Sequence, residues 1–334
     1  RFRNSAMEGA CMERGYDWWR KIGSPKYVCA PMVWNSDLAF RLLVRRHGCT
    51  LAYTPMIRCK DFLRIPTEEG RRAVVEPHLH DRPLIVQFAA DCPEEFAACG
   101  KLVQGYCDGV DLNLGCPQEA AVRDHYGACL MEEPELVRSI VQRAARELSV
   151  PVTVKIRVFD QEDERTVAFA LMLQESGASM IAVHGRTKQQ THHQGECRWD
   201  AIAKVKRAMA IPVLANGGPI RDMDNVGACL DATGCDGVMC AIGLLLNPRL
   251  FAGNLDAGKE ARLSMLLEYL NEAAQISTTP ARSLRDHMQV MLRDMMCPTF
   301  YRRSCGCDDH KDLWNMVCNS KALWTPWQAQ QVAL

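Results

Sequence analysis

The side chains best suited to chemistry stand where short apolar runs of the sequence end. Asn113 lies near the end of one such run and Cys116 follows it, Lys155 and Arg157 end another, and His184 ends a third. Amide, thiol, ammonium, guanidinium and imidazole groups can together bind an electron-rich ligand and move protons. Each residue alone could be an ordinary buried side chain, but a lysine inside an apolar run is costly to bury without a partner. The set therefore predicts one polar site.

Eight apolar runs alternate with amphipathic stretches that have helical periodicity, such as Asp37–His47 and Pro93–Gln104. The runs are Tyr27–Val33, Leu51–Ile57, Leu84–Phe88, Gly109–Leu114, Val152–Ile156, Met180–His184, Pro212–Ala215 and Gly237–Cys240. Nearly continuous apolar runs are typical of parallel strands covered on both faces. Eight repeats favour an α/β fold of the closed (β/α)8 TIM barrel type over an open doubly wound sheet. We expect this barrel over residues 27–253, after an N-terminal extension at 1–26.

The carboxyl ends of all strands in such a barrel meet at one rim, where barrel enzymes hold their active sites. Pro31, Met32 and Val33 end the first predicted strand, and Gln87 lies near the end of the third. These residues are therefore expected at the same rim as the thiol, the ammonium and the imidazole.

Two glycine-containing turns follow the seventh and eighth predicted strands, where barrels often bind phosphate through backbone N–H groups. The first turn contains Asn216, Gly217 and Gly218, and the second contains Ala241 and Ile242. The rim carries cationic and amide donors but no cluster of carboxylates or histidines suited to a metal. It therefore predicts a phosphorylated cofactor, for which FMN is suitable, and no metal.

Beyond Leu255 the strand pattern stops and helical periodicity begins, which predicts a small C-terminal helical domain and tail over 254–334. One predicted helix has an apolar face that contains Leu284, Met288, Met291 and Met295. Its opposite face is basic and contains Arg282, Arg285 and Arg293. Two interpretations stay open: a solvated charged face over a core stripe, or a basic face that grips an RNA backbone.

Composition sets limits on partners and location. The chain has 334 residues with 40 basic and 40 acidic side chains, so any RNA surface must be a local patch. No apolar run is long enough to span a bilayer. The 17 cysteines are scattered, several inside apolar runs, which fits a reducing compartment. We expect a cytoplasmic protein, although a nuclear or organellar location stays open because the chain begins at Arg1 and its N-terminus could be incomplete.

A second group of metal-ligating residue types lies near the C-terminus. It consists of Cys297, Cys305, Cys307, His310 and Cys318. The spacing lacks the regular C-x-x-C pairs of structural zinc sites, so ordinary reduced thiols are favoured over zinc.

Several short motifs recur together at characteristic spacing. They are Ala30-Pro31-Met32, Asn113-Leu114-Gly115-Cys116-Pro117, His125-Tyr126-Gly127-Ala128, Val154-Lys155-Ile156-Arg157 and His184-Gly185-Arg186-Thr187. In this order they resemble the tRNA-dihydrouridine synthase family, over about residues 28–251. The segment Asp81–Phe88 is similar to the eukaryotic branch of the family that modifies uridines 16 and 17 of the D-loop.

The resemblance implies an enzyme that uses FMN, with NADPH or NADH as reductant, to reduce the carbon 5–carbon 6 double bond of uridine in tRNA. Cys116 would be the general acid at carbon 5 and Asn113 would orient the uracil, while Arg186 would contact a substrate or flavin oxygen. Lys155 and His184 would hold the flavin pyrimidine edge and phosphate region. The resemblance assigns the remaining flavin contacts to Pro31, Met32, Val33, Gln87, Asn216, Gly217, Gly218, Ala241 and Ile242.

The resemblance also implies that a helical C-terminal domain supports the tRNA, whose target base must be splayed out of its stack. A monomer is expected. Two positions depart from the family pattern: Ile242 replaces an Arg or Glu, and Pro219 looks like an insertion.

Three alternatives stay open. Cys129 competes with Cys116 for the role of acid, although the Gly and Pro neighbours of Cys116 favour an exposed turn. A flavin barrel acting on a free pyrimidine, in the manner of dihydroorotate or dihydropyrimidine dehydrogenases, would share the fold. A barrel without catalytic activity that binds RNA is the third alternative, which the presence of Cys116, Lys155 and His184 together disfavours.

Overall fold

The computed structural model describes residues 13–190, 195–253, 258–276, 279–293, 304–306, 312–313 and 315–316. Parallel strands form one sheet among these residues: β1 Tyr27–Cys29, β2 Leu51–Tyr53, β3 Ile57–Arg58, β4 Leu84–Ala89, β5 Gly109–Leu114, β6 Val152–Arg157, β7 Ala178–His184, β8 Val213–Asn216 and β9 Gly237–Cys240. The sheet order is β2-β1-β9-β8-β7-β6-β5-β4-β3, and a further pairing of β2 with β4 closes the ring. Eight strands thus form a barrel, and the predicted (β/α)8 fold is confirmed.

The second predicted strand is interrupted. Pro55 has no N–H to donate, and the run that was expected to continue to Ile57 divides into β2 and the two-residue β3. The short β3 pairs with the end of β4 through Ile57 and Phe88, and lies outside the closed ring.

Helices cover the outside of the barrel and its amino end. They are α1 Gly15–Lys21, α2 Leu38–Arg46, α3 Cys59–Leu63, α4 Glu68–Val75, α5 Pro93–Val103, α6 Glu119–Arg123, α7 Pro134–Glu147, α8 Asp163–Glu175, α9 Trp199–Ala208, α10 Met223–Thr233, α11 Ile242–Leu246, α12 Lys259–Gln275 and α13 Ala281–Met291. Short 3-10 helices occupy Gly127–Glu132 and Leu250–Ala252. No helix among the residues described is long and apolar enough to cross a membrane.

The alternation of side chains along each strand separates the inside of the barrel from the layer beneath the helices. On β6, Val152, Val154 and Ile156 join the large core between sheet and helices, while Thr153 and Lys155 alternate with them. The apolar side chains of the interior form a cluster of their own, which contains Val28, Ala30, Leu51, Tyr53, Ile85, Met180, Ala182, Leu214 and Met239. Polar side chains such as Asn113, Lys155 and His184 lie toward the carboxyl ends of their strands.

Helix α1 lies within residues 1–26, for which the sequence predicts only an N-terminal extension. Trp18 and Trp19, which are 4% and 3% exposed, pack against the apolar interior cluster. The indole nitrogen of Trp18 donates to the carbonyl of Asp108 at 3.1 Å. The two tryptophans therefore close the amino end of the barrel.

The described C-terminal helices join the barrel through a buried polar contact at the start of α2. Asp37 caps α2 by accepting from the backbone N–H of Phe40, and its second oxygen lies 3.0 Å from Nε2 of His287 and 3.3 Å from the hydroxyl of Tyr269. The His287 ring also stacks on Phe40 at 4.4 Å. Leu284, Met288 and Met291 of α13 are buried as predicted, whereas Met295 lies outside the described residues.

Candidate functional site

A cavity of about 880 Å³ opens at the carboxyl end of the barrel. It is lined by all the residues that were predicted at the rim: Pro31, Met32, Val33, Gln87, Asn113, Cys116, Lys155, His184, Arg186, Asn216, Gly217, Gly218, Ala241 and Ile242. Its volume lies within the range of about 300–1,000 Å³ that is usual for small-molecule sites.

The turn that carries Cys116 is held by a chain of hydrogen bonds. The Asn113 side-chain oxygen accepts from the backbone N–H groups of Gly115 at 3.1 Å and Cys116 at 3.0 Å. The Asn113 amide nitrogen donates to Gln87 Oε1 at 2.8 Å, and Gln87 Nε2 donates to Asp111 Oδ2, also at 2.8 Å. The position of Cys116 therefore depends on a buried carboxylate deep in the barrel.

Asp111 was not predicted as part of the site. It is fully buried on β5 and accepts from the Thr153 hydroxyl at 2.6 Å as well as from Gln87. Burial raises the pKa of Asp111 to about 6, while the hydrogen bonds from Thr153 and Gln87 oppose this rise. The available signal was a carboxylate within a mostly apolar strand, Gly109–Leu114.

Lys155 pairs in register with Asn113 on the neighbouring strand and is 9% exposed. Burial and, to a lesser extent, the positive charge of Arg157 lower the pKa of Lys155 to about 8, while Asp111 opposes the shift. An electron-rich ligand in the cavity would offset the cost of burying this ammonium.

Arg157 joins two of the loops that form the rim. Its Nε donates to the carbonyl of Gly115 at 2.7 Å, and its Nη1 donates to the carbonyls of Thr187 at 2.7 Å and Gln190 at 3.0 Å. Burial lowers the pKa of this guanidinium to about 10. Arg157 thus ties the Cys116 turn to the loop after β7, a positioning role that the sequence did not reveal.

The glycine turn after β8 packs closely against His184. Gly217 has a φ of +94°, and a Cβ there would lie 2.5 Å from Cδ2 of His184. Gly218 has a φ of +104° and faces the Trp199 indole in the same way. Asn216 is fixed by the hydrogen bond from its Nδ2 to the carbonyl of Met239 at 2.9 Å. Only glycine suits these two positions, and their backbone atoms line the cavity.

Two arginines stand at the cavity near this turn. Arg186 donates from Nε to the carbonyl of Gly195 at 3.1 Å, and its Nη1 lies 3.4 Å from His184 Nε2. Arg221 also lines the cavity, beyond Gly218 and Pro219, and was not predicted. The sequence does contain a signal for Arg221, since this positive side chain follows the predicted phosphate turn by three residues.

The two competing cysteines are in different environments. Cys116 lines the cavity, whereas Cys129 donates from Sγ to the carbonyl of Tyr126 at 3.2 Å and is not among the lining residues. The Gly127–Ala128 turn packs on Cys116: the N–H of Ala128 donates to its carbonyl at 2.9 Å, and a Cβ at 127 would lie 2.6 Å from that oxygen. The geometry favours Cys116 over Cys129 as the residue that meets a ligand.

The three predicted RNA-binding arginines do not line the cavity. Arg282 and Arg293 are exposed and Arg285 is half-buried. The guanidinium of Arg282 lies 5.0 Å from the ring centre of Trp34, on the loop after β1. Within the described ranges no group of three metal-ligating side chains occurs; of the C-terminal candidates only Cys305 is described, and Cys297, Cys307, His310 and Cys318 lie outside.

Residues 28–313 match the protein family described as dihydrouridine synthase (Dus). Over 277 residues the chain is 44% identical to the tRNA-dihydrouridine(16/17) synthase [NAD(P)(+)]-like protein of Mus musculus, which covers 82% of this chain and 57% of the relative. It is 35% identical to tRNA-dihydrouridine(16/17) synthase [NAD(P)(+)] of Saccharomyces cerevisiae over 98% of this chain and 78% of that protein. A human tRNA-dihydrouridine(20a/20b) synthase [NAD(P)+]-like protein is 39% identical over 79% of this chain and 81% of its own length.

Solved structures share the barrel at low sequence identity. TcOYE with pHBA has a TM-score of 0.50 at 10% identity, covering 67% of this chain and 87% of that one. Morphinone reductase in complex with tetrahydroNAD has a TM-score of 0.50 at 12% identity, covering 71% and 89%. The chain spans 57% and 62% of the length of the mouse and rat relatives that it matches.

Proposed function

The chain belongs to the dihydrouridine synthase family, and from this premise we propose that it reduces the carbon 5–carbon 6 double bond of uridine in tRNA. The proposed positions are 16 and/or 17 of the D-loop, since relatives named for those positions are 44% and 35% identical to it. The observation that carries the proposal is that Cys116, Lys155 and His184 line one cavity together with the glycine turn after β8.

The residues present fit FMN as the cofactor. A buried lysine with a depressed pKa lines the cavity and calls for an electron-rich partner, and the Gly217–Gly218 turn leaves room for backbone contact with a phosphate. Arg221 stands beside that turn and can supply the positive charge that Ile242 lacks. When bound, FMN would accept hydride from NADPH or NADH and deliver it to carbon 6 of the uracil.

We assign the predicted residues of the rim as the contacts of this cofactor. Lys155 and His184 hold its pyrimidine edge and phosphate region. The ring contacts and phosphate contacts are assigned to Pro31, Met32, Val33, Gln87, Asn216, Gly217, Gly218, Ala241 and Ile242, all of which line the cavity.

Cys116 is the proton donor to carbon 5 of the uracil, because it is a thiol at the cavity on a turn fixed by Asn113 and Arg157. Asn113 contributes in two ways. Its side-chain oxygen accepts from the backbone of the Cys116 turn and so holds that turn in place. One N–H of its amide donates to Gln87, and the second N–H would donate to a uracil oxygen and orient the base. Arg186, at the mouth beside His184, contacts a substrate or flavin oxygen.

The uracil must leave the stack of its RNA to reach this cavity, as enzymes acting on a base require. Arg282, Arg285 and Arg293 on α13 would then hold the RNA backbone outside it. We further propose a monomer that works in the cytoplasm or nucleus; free thiols at 13 described cysteines suit such a reducing compartment. Light scattering on the purified chain tests the monomer, and imaging of the tagged protein tests the location.

Cys116→Ala tests the proposal most directly. The protein, reconstituted with FMN and given NADPH and unmodified tRNA, should form dihydrouridine that mass spectrometry places at position 16 or 17. Cys116→Ala should retain flavin and oxidise NADPH but lose product formation by about 10²- to 10⁴-fold, the usual contribution of a general acid.

Cys129→Ala is the matched control, since this thiol is bonded to the Tyr126 carbonyl and does not line the cavity. Its activity should equal that of the wild type. Undiminished product from Cys116→Ala would remove that residue from the role, and reduction of free uracil with none on tRNA would contradict the proposed substrate.

A further inference from the structure

A large aromatic side chain stands exposed beside the mouth of the cavity. Trp34 is 42% exposed, and its chain neighbours Val33 and Asn35 both line the cavity. Its φ of +66° lies in the left-handed region, which a bulky residue rarely adopts. Backbone strain of this kind persists where the surrounding structure fixes it, and it concentrates at ligand-binding sites.

The loop around Trp34 is held by hydrogen bonds that do not involve its ring. The backbone N–H groups of Asn35 and Ser36 donate to the carbonyl of Met32 at 3.1 and 3.0 Å. The N–H of Met32 donates to the Ser36 hydroxyl at 3.0 Å, and Ser36 is fully buried. The turn is therefore built in advance and presents the indole at the rim.

The indole also has a cationic partner from the C-terminal helices. The Arg282 guanidinium lies 5.0 Å from the ring centre, within cation–π distance, and the Arg282 side chain is itself 60% exposed. Asp286, 3.8 Å from Arg282 Nε, is a loose ion-pair partner on the same helix. An exposed aromatic ring and an exposed guanidinium thus meet where the barrel rim touches α13.

We propose that Trp34 and Arg282 form a stacking subsite for an unpaired nucleobase that flanks the uridine entering the cavity. The inference rests on the proposed RNA substrate. A base that leaves its stack breaks the stacking on both of its neighbours, and an aromatic ring at the mouth replaces one of those contacts without selecting a sequence. The guanidinium adds a positive charge beside the phosphate of the same nucleotide.

Substitution of Trp34 tests the subsite in the full chain reconstituted with FMN. Without reductant, Trp34→Ala should weaken binding of unmodified tRNA by about 5- to 150-fold, the value of one base–aromatic stack. With NADPH, KM for tRNA should rise while kcat stays within about twofold. Trp34→Phe should restore most of the affinity, because a phenyl ring still stacks.

Leu79→Ala is the matched control. Leu79 is 84% exposed and does not line the cavity. Its affinity for tRNA should equal that of the wild type. Unchanged affinity of Trp34→Ala would overturn the proposal. The proposal would also be overturned if Trp34→Ala lost affinity together with a lower melting temperature and Trp34→Phe did not restore it. That result would mean that Trp34 and Arg282 only attach α13 to the barrel.

A second substrate identifies the occupant as a base. tRNA with an abasic nucleotide on either side of the target uridine, tested in turn, should bind the wild type more weakly on one side. For Trp34→Ala, the abasic nucleotide on that side should cause no further loss of tRNA affinity. If it weakened binding equally in the wild type and in Trp34→Ala, the proposal would be overturned. If the wild type binds tRNA but forms no dihydrouridine, the proposed function fails, and this binding comparison still decides the subsite.

Discussion

At the scale of single residues, burial controls the charges at the bottom of the cavity. The pKa of Lys155 is lowered to about 8 and that of Asp111 is raised to about 6, both chiefly by burial. Between these two values the ammonium and the carboxylate are both charged and attract each other. Lys155, which lines the cavity, and Asp111, which is buried deeper in the barrel, therefore form a charge pair at neutral pH that either acid or alkali removes.

The pKa of Lys155 predicts a pH dependence of FMN affinity. Binding of the anionic cofactor favours the ammonium, which is present below about pH 8 and lost as the pH rises through that value. FMN affinity should therefore fall above about pH 8, by at most about tenfold per pH unit. Quenching of flavin fluorescence in titrations of the apoprotein measures it.

Lys155→Met should bind FMN more weakly and without this dependence. Lys101→Met, at an exposed position on α5, is the control and should keep the wild-type profile. A Lys155→Met variant that retained the alkaline loss would show that another group titrates.

We expect two substitutions of Asp111 to differ in their effect on activity. Asp111→Asn can keep the bond from Gln87 while the Thr153 hydroxyl rotates to accept from the new amide, so activity should remain within about tenfold. Asp111→Leu leaves the Gln87 amide without a partner, and the turn at Cys116 loses its support. We expect kcat to fall by about 10- to 100-fold, as for small misplacement of a catalytic group.

Single-turnover reduction of tRNA and flavin absorbance separate the outcomes for Asp111. Flavin content should stay near that of the wild type while the reduction of uridine slows. Equal activity of the Leu and Asn variants would mean that the Cys116 turn does not depend on this carboxylate.

At the scale of elements, the eight strands were predictable from their apolar runs, and amphipathic helices such as α2 and α5 were predictable from their periodicity. Lys155 and His184 could be placed at the rim because parallel strands end together. Helix α1 was missed because seven residues are too few to show periodicity, and β3 because Pro55 interrupts its run. The roles of Asp111, Arg157 and Arg221 could not be predicted, because they depend on partners that only the closed barrel brings together.

Helix α1 should contribute strongly to stability through its tryptophans. Trp18→Ala removes a nearly buried indole from the amino end of the interior and should cost about 3–5 kcal/mol of unfolding free energy. Leu79→Ala, at a position 84% exposed, should change it by less than about 0.5 kcal/mol. Urea unfolding measures both; an equal effect of the two would show that α1 does not seal the barrel.

At the scale of the whole molecule, charge is balanced and the barrel and the described C-terminal helices share one core. Leu266, Tyr269 and Leu284 belong to the same apolar cluster as the barrel helices. The net charge is zero, so any attraction for RNA would have to come from local patches, for which the arginines of α13 are the proposed candidates.

The α13 arginines predict a change in the salt dependence of tRNA binding. Replacing Arg282, Arg285 and Arg293 together by Ala should weaken binding and reduce the slope of log affinity against log salt by up to about 2–3, at about 0.7–0.9 per lost phosphate contact. Arg20, Lys21 and Lys101, which lie toward the amino end of the barrel, form the matched triple control. An unchanged slope would show that the α13 face is merely solvated.

The tryptophan closure of the barrel has a kinetic consequence. With the amino end sealed by Trp18 and Trp19, the described structure opens its interior to solvent at the carboxyl rim. Under the proposed function, the nicotinamide and the uracil reach the same reactive surface through this opening, so one must leave before the other arrives. Steady-state rates measured at several concentrations of each substrate would accordingly give parallel reciprocal plots, the signature of two half-reactions that alternate in time.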